Sequence, residues 1–334
     1  MVVISLFITS FVALIALQYY LQLAKIGQYS PFDLQFVTAD SKSPSVHNIT
    51  NSTNSKQTYS DKFGIREIYL TKPQGREWYV NMTNPKNDTL LSFTFDAPIN
   101  KQQDGSWRIT NPKVRMNVET PTGMEPWKNV EITGYAKVIS VKASKDSSDS
   151  NKTNSANQDY SQTLNDIAWY ARSGRHNSET PCEGTALIGG IHTDGSVGWK
   201  KSIWFTGGYT DERALNQVTK PLLGRWIGWK VVIYNIDNGT AVKMESYLDE
   251  NNTNHWKKVT GFVDNGGWYA NTDDVTFFSA GCGKPKDYVI TNPGDFVTFR
   301  TDNIIWDFKN LSVREITPPE PINHSRNVPI ASDR

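Results

Sequence analysis

Short runs of alternating apolar and polar residues, separated by turn-forming pairs, constrain the fold of this chain more than any other feature. Leu91-Ser-Phe-Thr-Phe95 is one such run, and Val130-Glu-Ile-Thr-Gly-Tyr-Ala-Lys-Val138 is a longer one. Side chains two residues apart lie on the same face of a β-strand, so this pattern is typical of strands with one buried face. Asp-Gly, Gly-Gly and Asn-Gly pairs between the runs favour tight turns. The pattern therefore predicts an all-β fold built from antiparallel strands.

The same pattern continues through most of the chain, with strands about 10–15 residues apart. The further predicted strands are 167–172, 185–192, 201–205, 226–234, 242–248, 275–278, 297–300 and 304–316. Aromatic residues, which are enriched in strands, make up 12% of the sequence. Many short strands in one chain predict a jelly-roll sandwich of two antiparallel sheets. Helical periodicity occurs only in short pieces, such as Asp211–Thr219.

Residues 2–24 are apolar enough to enter a membrane. No charged side chain precedes Lys25, and a helix over residues 2–24 would rise about 35 Å, enough to cross a bilayer with some tilt. Tyr19 and Tyr20 would then lie at the membrane interface. Because no basic residue precedes the apolar run, an uncleaved anchor is favoured over the alternative, a cleaved signal peptide. In both cases we expect one N-terminal hydrophobic helix ahead of the β-domain.

Polar tracts divide the rest of the chain. Residues 25–60 contain a stretch rich in Ser, Thr and Asn and are predicted to be a linker. Residues 61–317 are the predicted jelly-roll domain, which a polar tract at 143–162 interrupts as a surface loop. Residues 318–334 are rich in proline and are predicted to be a disordered tail.

The cysteines and the glycosylation sequons favour an extracellular setting, at the cell surface or secreted. Cys182 and Cys282 are the only cysteines. We predict a disulfide between them, worth about 4–5 kcal/mol in the chain-entropy model, with two buried thiols as the alternative. Lys25 alone would favour a cytoplasmic body. The chain has nine N-x-S/T sequons, whereas chance would give about five, and this excess opposes a cytoplasmic body. Their asparagines are Asn48, Asn51, Asn81, Asn87, Asn151, Asn238, Asn251, Asn310 and Asn323.

Charge and motifs limit the partners and cofactors. With 35 basic and 34 acidic side chains, the net charge is +1, which argues against a broad cationic face for nucleic acid. The sequence has no zinc-ligand pattern, phosphate-cradling loop or dinucleotide fingerprint. We therefore predict no cofactor and no metal site. Loop-bound Ca²⁺ at Asp264-Asn265-Gly266-Gly267 or at Asp273-Asp274 is the alternative, although such residues ordinarily form turns.

The order of four segments carries a family resemblance. Trp169-Tyr-Ala-Arg172 comes first, followed by Gly189-Gly-Ile-His192, Arg225-Trp-Ile-Gly-Trp-Lys230 and the closing Trp306-Asp-Phe-Lys-Asn-Leu-Ser-Val-Arg-Glu-Ile316. Over residues 64–317 this order resembles the concanavalin A-like lectin/glucanase jelly-roll superfamily. The resemblance implies two curved sheets, with a glycan lying across the concave one.

Part of the sequence is also similar to alginate lyases of this fold. The segment that ends at His192 resembles their Q-I-H strand, which implies that His192 neutralises the substrate carboxylate or acts as a base. Gly190 stands in the place of their glutamine and Gly283 in the place of their catalytic tyrosine. Another tyrosine, such as Tyr209 or Tyr288, would then have to donate the proton to the leaving group.

Binding a glycan requires fewer precisely placed side chains than cleaving one. Aromatic rings stack on the C–H faces of sugars, and cations hold acidic groups. We predict a polysaccharide-binding protein with a preference for acidic glycans. The alternatives are a lyase that cleaves a uronate-containing polymer by β-elimination with His192 and Tyr209, and a structural cell-envelope protein. A glycoside hydrolase is disfavoured, because the superfamily's E-x-D-x-x-E carboxylates are absent. The predicted ligand-binding residues are Tyr170, Arg172, Arg175, His192, Lys201, Trp204 and Tyr209.

Overall fold

A computed structural model of the chain describes residues 59–94, 97–142, 165–177, 179–204, 208–270 and 282–319. Within these ranges lie fifteen strands and short 3₁₀ helices at Pro85–Asn87 and Asp237–Gly239. The strands are β1 (Glu77–Tyr79), β2 (Leu91–Phe93), β3 (Ile99–Lys101), β4 (Trp107–Ile109), β5 (Lys113–Glu119), β6 (Val130–Val141), β7 (Asp166–Ser173), β8 (Ala186–His192), β9 (Ser196–Ser202), β10 (Arg213–Gln217), β11 (Trp226–Ile236), β12 (Ala241–Asp249), β13 (Lys257–Asp264), β14 (Phe296–Asp302) and β15 (Ile304–Glu315).

The strands form two sheets. Sheet A has the order β10-β9-β8-β7-β14-β5-β2. Sheet B has the order β13-β12-β11-β6-β15-β4-β3, and β1 also pairs with β15. Neighbouring strands within both sheets are antiparallel. The predicted fold class, a two-sheet antiparallel jelly-roll sandwich, is therefore confirmed.

The two sheets bury their apolar faces in a common core. In β7, Ile167, Trp169 and Ala171 belong to this core, whereas Tyr170 belongs to a separate cluster on the outer face. Trp169 meets Phe299 of β14 edge to face, with ring centroids 5.2 Å apart. The period of two along each strand thus decides which side chains are left for the outer faces.

Residues 59–70, here called the strap, lie against the outer face of sheet B. Ile65 of the strap packs in the apolar cluster on that face. The backbone N–H groups of Ile68 and Tyr69 donate to Oε2 of Glu131 on β6, at 3.1 and 3.3 Å. Glu131 is fully buried, so these hydrogen bonds are made away from water. Sheet B therefore packs against the common core on one face and against the strap on the other.

Two local predictions are wrong. Helical periodicity predicted a short helix at Asp211–Thr219, but Arg213–Gln217 forms edge strand β10, because it pairs with β9. Pairing across a sheet overrides the weak local preference of a short exposed segment. The strand predicted at 201–205 is β9, which begins at Ser196 and ends at Ser202.

The predicted disulfide is confirmed, since Cys182 and Cys282 are bonded. None of the helices in the described part of the chain is long and apolar enough to span a bilayer. The predicted helix at 2–24, the surface loop at 143–162, the strand at 275–278 and most of the linker and tail lie outside the described residues.

Candidate functional site

A row of small residues crosses the outer face of sheet A. The strand register places Arg115 of β5 opposite Arg300 of β14, and Arg300 opposite Ala168 of β7. The row continues through Gly190 of β8 to Gly198 of β9. Because the last three side chains are a methyl group or a hydrogen atom, this row is a low floor, with two arginines at one end.

The ring of Tyr170 lies close to both arginines. The Cζ atoms of Arg115 and Arg300 are 5.6 and 5.9 Å from its centroid. Arg300 also donates to Tyr170 Oη at 3.3 Å, and its Nε lies 2.7 Å from Oδ2 of Asp302. The Arg115 guanidinium donates to none of the residues that the structure describes. Within the described ranges its donors are therefore open to a ligand or to water.

Burial and neighbouring charges shift the pKa values in this cluster. Burial, followed by repulsion from Arg300, lowers the pKa of Arg115 from its high ordinary value, which leaves it a cation near neutral pH. Burial opposes the charge of Arg300, but Tyr170 and Asp302 outweigh it and raise the Arg300 pKa. Burial raises the pKa of Tyr170, so its phenol stays protonated. The cluster thus combines two cations with one carboxylate.

His176 and Tyr209 meet on the same face. His176 Nε2 lies 2.9 Å from Tyr209 Oη. Burial, with repulsion from Arg115 and Arg300, lowers the pKa of His176 to about 4. The imidazole is therefore neutral near pH 7 and can accept a proton. Tyr209 packs on the outer-face cluster of Ala168, Tyr170, Ala186 and Ile188.

The connection between β7 and β8, which carries His176, is fixed by polar contacts and by the disulfide. Arg175 Nε and Nη2 each donate to the Glu183 carboxylate at 2.8 Å. Lys284 Nζ donates to the carbonyl oxygen of Cys182 at 3.0 Å, beside the bond to Cys282. These contacts determine where His176 lies relative to Tyr209.

A second polar cluster occupies the other end of the floor. His192 Nε2 lies 2.8 Å from Glu212 Oε1. Lys200 Nζ is 3.5 Å from Asp166 Oδ2 and 3.8 Å from Glu212 Oε2. The Glu212 carboxylate lies over Gly198, where a Cβ atom would clash with it. His192 is fully buried, and its Nδ1 has no hydrogen-bond partner in the described ranges.

Four of the residues predicted to bind ligand lie on or beside this face. Tyr170, His192 and Tyr209 lie on the outer face of sheet A, as described above. Arg175 lies in the β7–β8 connection, exposed and paired with Glu183. Arg175 and Tyr209 are open to a ligand, whereas Tyr170 is buried and His192 is fully buried against Glu212, which corrects the assignment of His192 as a ligand contact.

Arg172 is buried away from this face, which corrects its assignment as a ligand contact. Its backbone has a φ of +57° where the pairing of β7 with β14 is irregular. Its guanidinium donates to the carbonyl oxygens of Lys128 at 3.1 Å and Ile290 at 2.5 Å. Burial lowers the pKa of Arg172 to about 9. Arg172 therefore links the loops that contain Lys128 and Ile290 to the end of β7.

Lys201 and Trp204 are also buried, and their assignments are corrected in the same way. Lys201 Nζ donates to Asp264 Oδ2 at 2.8 Å and to the carbonyl oxygen of Tyr288 at 2.9 Å. Trp204 packs with Ile203 and Ala270 and is 2% exposed. The lysine belongs to an ion pair inside the fold, and the indole ring is not open to a sugar.

The loop calcium alternative finds no support at Asp264, whose carboxylate already accepts from Lys201 and from the N–H of Gly266. Asp273 and Asp274 lie outside the described residues. In the ranges that are described, no group of three or more His, Cys, Asp or Glu residues is arranged to hold a metal ion.

Arg115 and Arg300 are site residues that the sequence interpretation missed. Val114-Arg-Met-Asn-Val118 and Val297-Thr-Phe-Arg300 both alternate, which places each arginine on the polar face of its strand. Their proximity depends on the pairing of β14 with both β5 and β7. Nothing in a single sequence reports that pairing.

Comparison with solved structures finds matches of low similarity. Neither a protein-family model nor a curated protein matches the chain. Peanut lectin with a nine-residue peptide is 9% identical, with a TM-score of 0.39, over 74% of this chain and 100% of that one. Winged bean acidic lectin complexed with methyl-α-D-galactose is 8% identical, with a TM-score of 0.39, over 73% and 100%. The exoplasmic/lumenal domain of VIP36 in its Ca²⁺/Man3GlcNAc-bound form is 10% identical, with a TM-score of 0.37, over 71% and 89%. These values are too low to transfer a ligand or a site residue to this chain.

Proposed function

We propose that the chain binds an acidic polysaccharide on the outer face of sheet A. The observation that carries the proposal is the half-buried Arg115 guanidinium, which has no acidic partner in the described part of the chain. Guanidinium groups bind carboxylates through two parallel hydrogen bonds, which suits a uronate. Tyr209, which packs on the outer-face cluster of Ala168 and Tyr170, offers an aromatic surface for a sugar ring.

We also propose an extracytoplasmic setting for this binding. The Cys182–Cys282 disulfide supports passage through an oxidising compartment. The sequons and the apolar segment at residues 2–24 support a glycosylated protein that is membrane-anchored or secreted. The partner would then be a polymer outside the cell.

Binding is tested with purified full-length chain and two forms of one polymer. Isothermal titration compares a polyuronate with the same polymer after its carboxyl groups have been reduced to alcohols. We expect Arg115→Ala to weaken polyuronate binding by about 10- to 100-fold, because charge-assisted hydrogen bonds contribute about 1.5–3 kcal/mol. Lys257→Ala, which removes an exposed cation from β13 of sheet B, is the matched control and should bind as the unmodified chain does.

Equal affinity for the reduced polymer would contradict the proposal, and so would equal losses in the Arg115 and Lys257 variants. Failure to bind or to cleave any polysaccharide would favour the structural envelope protein instead.

Cleavage of the same polymer is a second candidate function, favoured by the contact between His176 and Tyr209. Neutral His176 would take the proton from C5, next to the carboxylate, while the Tyr209 hydroxyl gives its proton to the glycosidic oxygen. The C4–O bond breaks and a C4=C5 double bond forms, with Arg115 stabilising the carboxylate as charge builds on it. His192 is occupied by Glu212, so His176 takes the role that the sequence assigned to His192.

Ultraviolet absorbance of the unsaturated product tests this second function. A lyase should give a rising signal that His176→Ala reduces by about 100-fold or more, while polymer affinity is retained. His255→Ala changes an exposed histidine and is the control. A flat trace under conditions where the polymer binds would leave binding as the function of the site.

A further inference from the structure

The five sequons in the described ranges fall into two groups. Asn81, Asn87, Asn238 and Asn251 are exposed, and so are the threonines that complete their sequons. Asn310 is half-buried, and Ser312, which completes its sequon, is fully buried. N-glycosylation requires an asparagine amide that is accessible to the transferring enzyme and a fold that can accommodate the attached glycan.

Local structure reinforces this division. Asn81 lies in a turn, where its Oδ1 accepts the N–H groups of Thr83 and Asn84 at 3.0 and 3.3 Å. Asn238 lies in the turn between β11 and β12, with a φ of +54°. Asn251 lies between β12 and β13. In each of these turns a large substituent can extend into solvent without disturbing a strand pair.

Asn310 has the opposite surroundings. It lies within β15, where the pairing with β6 is irregular, and its neighbour Leu311 is in the core. The carbonyl oxygen of Leu311 accepts the N–H of Val80 at 3.0 Å, and Ser312 Oγ donates to Asp61 at 3.4 Å. A glycan here would compete with the contacts that hold β1 and the strap.

The four exposed sequons all lie in connections between strands. Asn238 and Asn251 are in connections between strands of sheet B, and Asn81 follows β1 of the same sheet. Asn87 lies in the connection from β1 to β2. The strands of sheet A, over their described residues, carry no sequon.

We propose that N-linked oligosaccharides are attached at Asn81, Asn87, Asn238 and Asn251 and not at Asn310, so that no sequon of the described ranges carries a glycan on a strand of sheet A. The asparagine Nδ2 bonds to the anomeric carbon of a lipid-pyrophosphate-linked oligosaccharide. The bond from that carbon to the pyrophosphate oxygen breaks, the pyrophosphate leaves with the bonding electrons, and the amide loses one proton. The inference rests on the proposed extracytoplasmic setting and not on the identity of the ligand.

Site-resolved mass spectrometry tests the attachment pattern. The full-length chain is produced in a eukaryotic secretory host and treated with an amidase that removes N-glycans in ¹⁸O-labelled water, which marks each formerly glycosylated asparagine. We expect the label at the four exposed sites and unmodified Asn310. A glycan on Asn310 would overturn the proposal. Unmodified Asn238 and Asn251 in chains whose Cys182–Cys282 bond has formed would also overturn it. Free thiols with no glycan at any site would overturn the setting and the proposal together.

A pair of variants tests the outer face of sheet A. Arg213→Asn with Leu215→Thr creates a sequon on β10 of sheet A, at two exposed positions. Arg213→Gln with Leu215→Thr makes matching changes without a sequon. We expect only the first to lose polyuronate affinity, by about threefold or more, and to regain it after deglycosylation. Replacing the asparagines of the four exposed sequons by glutamine should change the polyuronate affinity less than twofold. A large change in that fourfold variant would overturn the inference that natural glycans avoid the ligand face.

Mapping of the glycans uses no polymer, so failure of the proposed binding function would leave the attachment pattern testable. The two failures are therefore distinguishable.

Discussion

Cations in this fold differ in whether a carboxylate accompanies them. Lys201 pairs with Asp264 in the core, and Lys230 Nζ lies 2.7 Å from Glu131, which the Arg314 guanidinium also contacts at 3.0 Å. Removing one member of such a pair would leave a charge buried alone. Arg115, on the outer face of sheet A, has no such partner among the described residues, so its guanidinium can bind a ligand.

The low pKa of His176 predicts a pH dependence of stability. The unfolded imidazole has a pKa of about 6.5, whereas burial and the two arginines hold the folded value at about 4. Between these values the unfolded chain binds more protons, so the contribution of His176 to the free energy of unfolding is complete above about pH 6.5 and is lost as the pH falls towards 4. His176→Gln should therefore lose less stability than the unmodified chain between pH 7 and 4.5, measured by urea unfolding.

His255→Gln serves as the control for that measurement, because His255 is exposed. Its stability should follow that of the unmodified chain at both pH values. Parallel losses in the His176 variant and the unmodified chain would show that His176 titrates alike in the folded and unfolded states.

Alternation predicts the face of a site residue within a regular strand, but it does not predict the partners of that residue. Alternation along β7 places Tyr170 outwards, as the structure shows. The same alternation would place Arg172 outwards, but the positive φ there turns its side chain to the Lys128 and Ile290 carbonyls. Arg115 and Arg300 come together through pairing across three strands, a long-range property to which no local pattern responds.

At the scale of elements, the β7–β8 connection depends on a covalent link. It carries His176 and is joined by Cys182 to Cys282, 100 residues further along the chain. The link stabilises the fold chiefly by restricting the unfolded chain. In the folded state it holds the connection beside Tyr209. Stability and the geometry of the site are therefore coupled at this element.

Replacing both cysteines by serine should affect both properties. We expect the free energy of unfolding to fall by about 4–5 kcal/mol on the chain-entropy estimate. Polyuronate cleavage, the second candidate function, should also slow when measured below the unfolding temperature, because His176 is no longer held in place. Calorimetry and the ultraviolet absorbance of the unsaturated product provide the two values.

Arg175→Ala removes the exposed ion pair with Glu183 from the same connection and is the control. It should change stability little, since exposed pairs contribute weakly. A double-serine chain as stable as the unmodified one would mean that the loop closed by the disulfide is already constrained when unfolded.

Elements with strong alternation were predictable, whereas short edge strands were not. β6, β11 and β15 coincide closely with predicted strands, because long runs of alternating residues leave one interpretation. β10 has five exposed residues and no apolar face, so its strand conformation comes from its pairing with β9. Such a segment carries no strand periodicity of its own.

At the scale of the whole domain, the two outer faces have different surroundings. The strap covers part of sheet B and anchors to buried Glu131. The charged and aromatic cluster lies on sheet A, with Arg300 and Asp302 partly exposed at 23% and 29%. A ligand should therefore contact one sheet and leave the other unchanged.

Hydrogen–deuterium exchange tests this difference between the faces. With a saturating polyuronate, peptides from β5, β14 and the β7–β8 connection should exchange more slowly, because the ligand restricts local opening there. Peptides from β11 and β12 of sheet B should exchange as before. Protection centred on the strap would instead place the polymer on sheet B.

The pairing of β1 with β15 has a mechanical consequence. These strands, the first and the last in the described chain, run antiparallel, with Glu77 opposite Arg314 and Tyr79 opposite Ser312. A pull on both ends of the described chain would load one end of this strand pair, so its hydrogen bonds would open in succession and not all at once. The bond between Cys182 and Cys282 would keep the segment between them from lengthening under the same load. Under load, β1 would therefore detach at low force. The segment between the two cysteines would not add to the extension while the disulfide is intact.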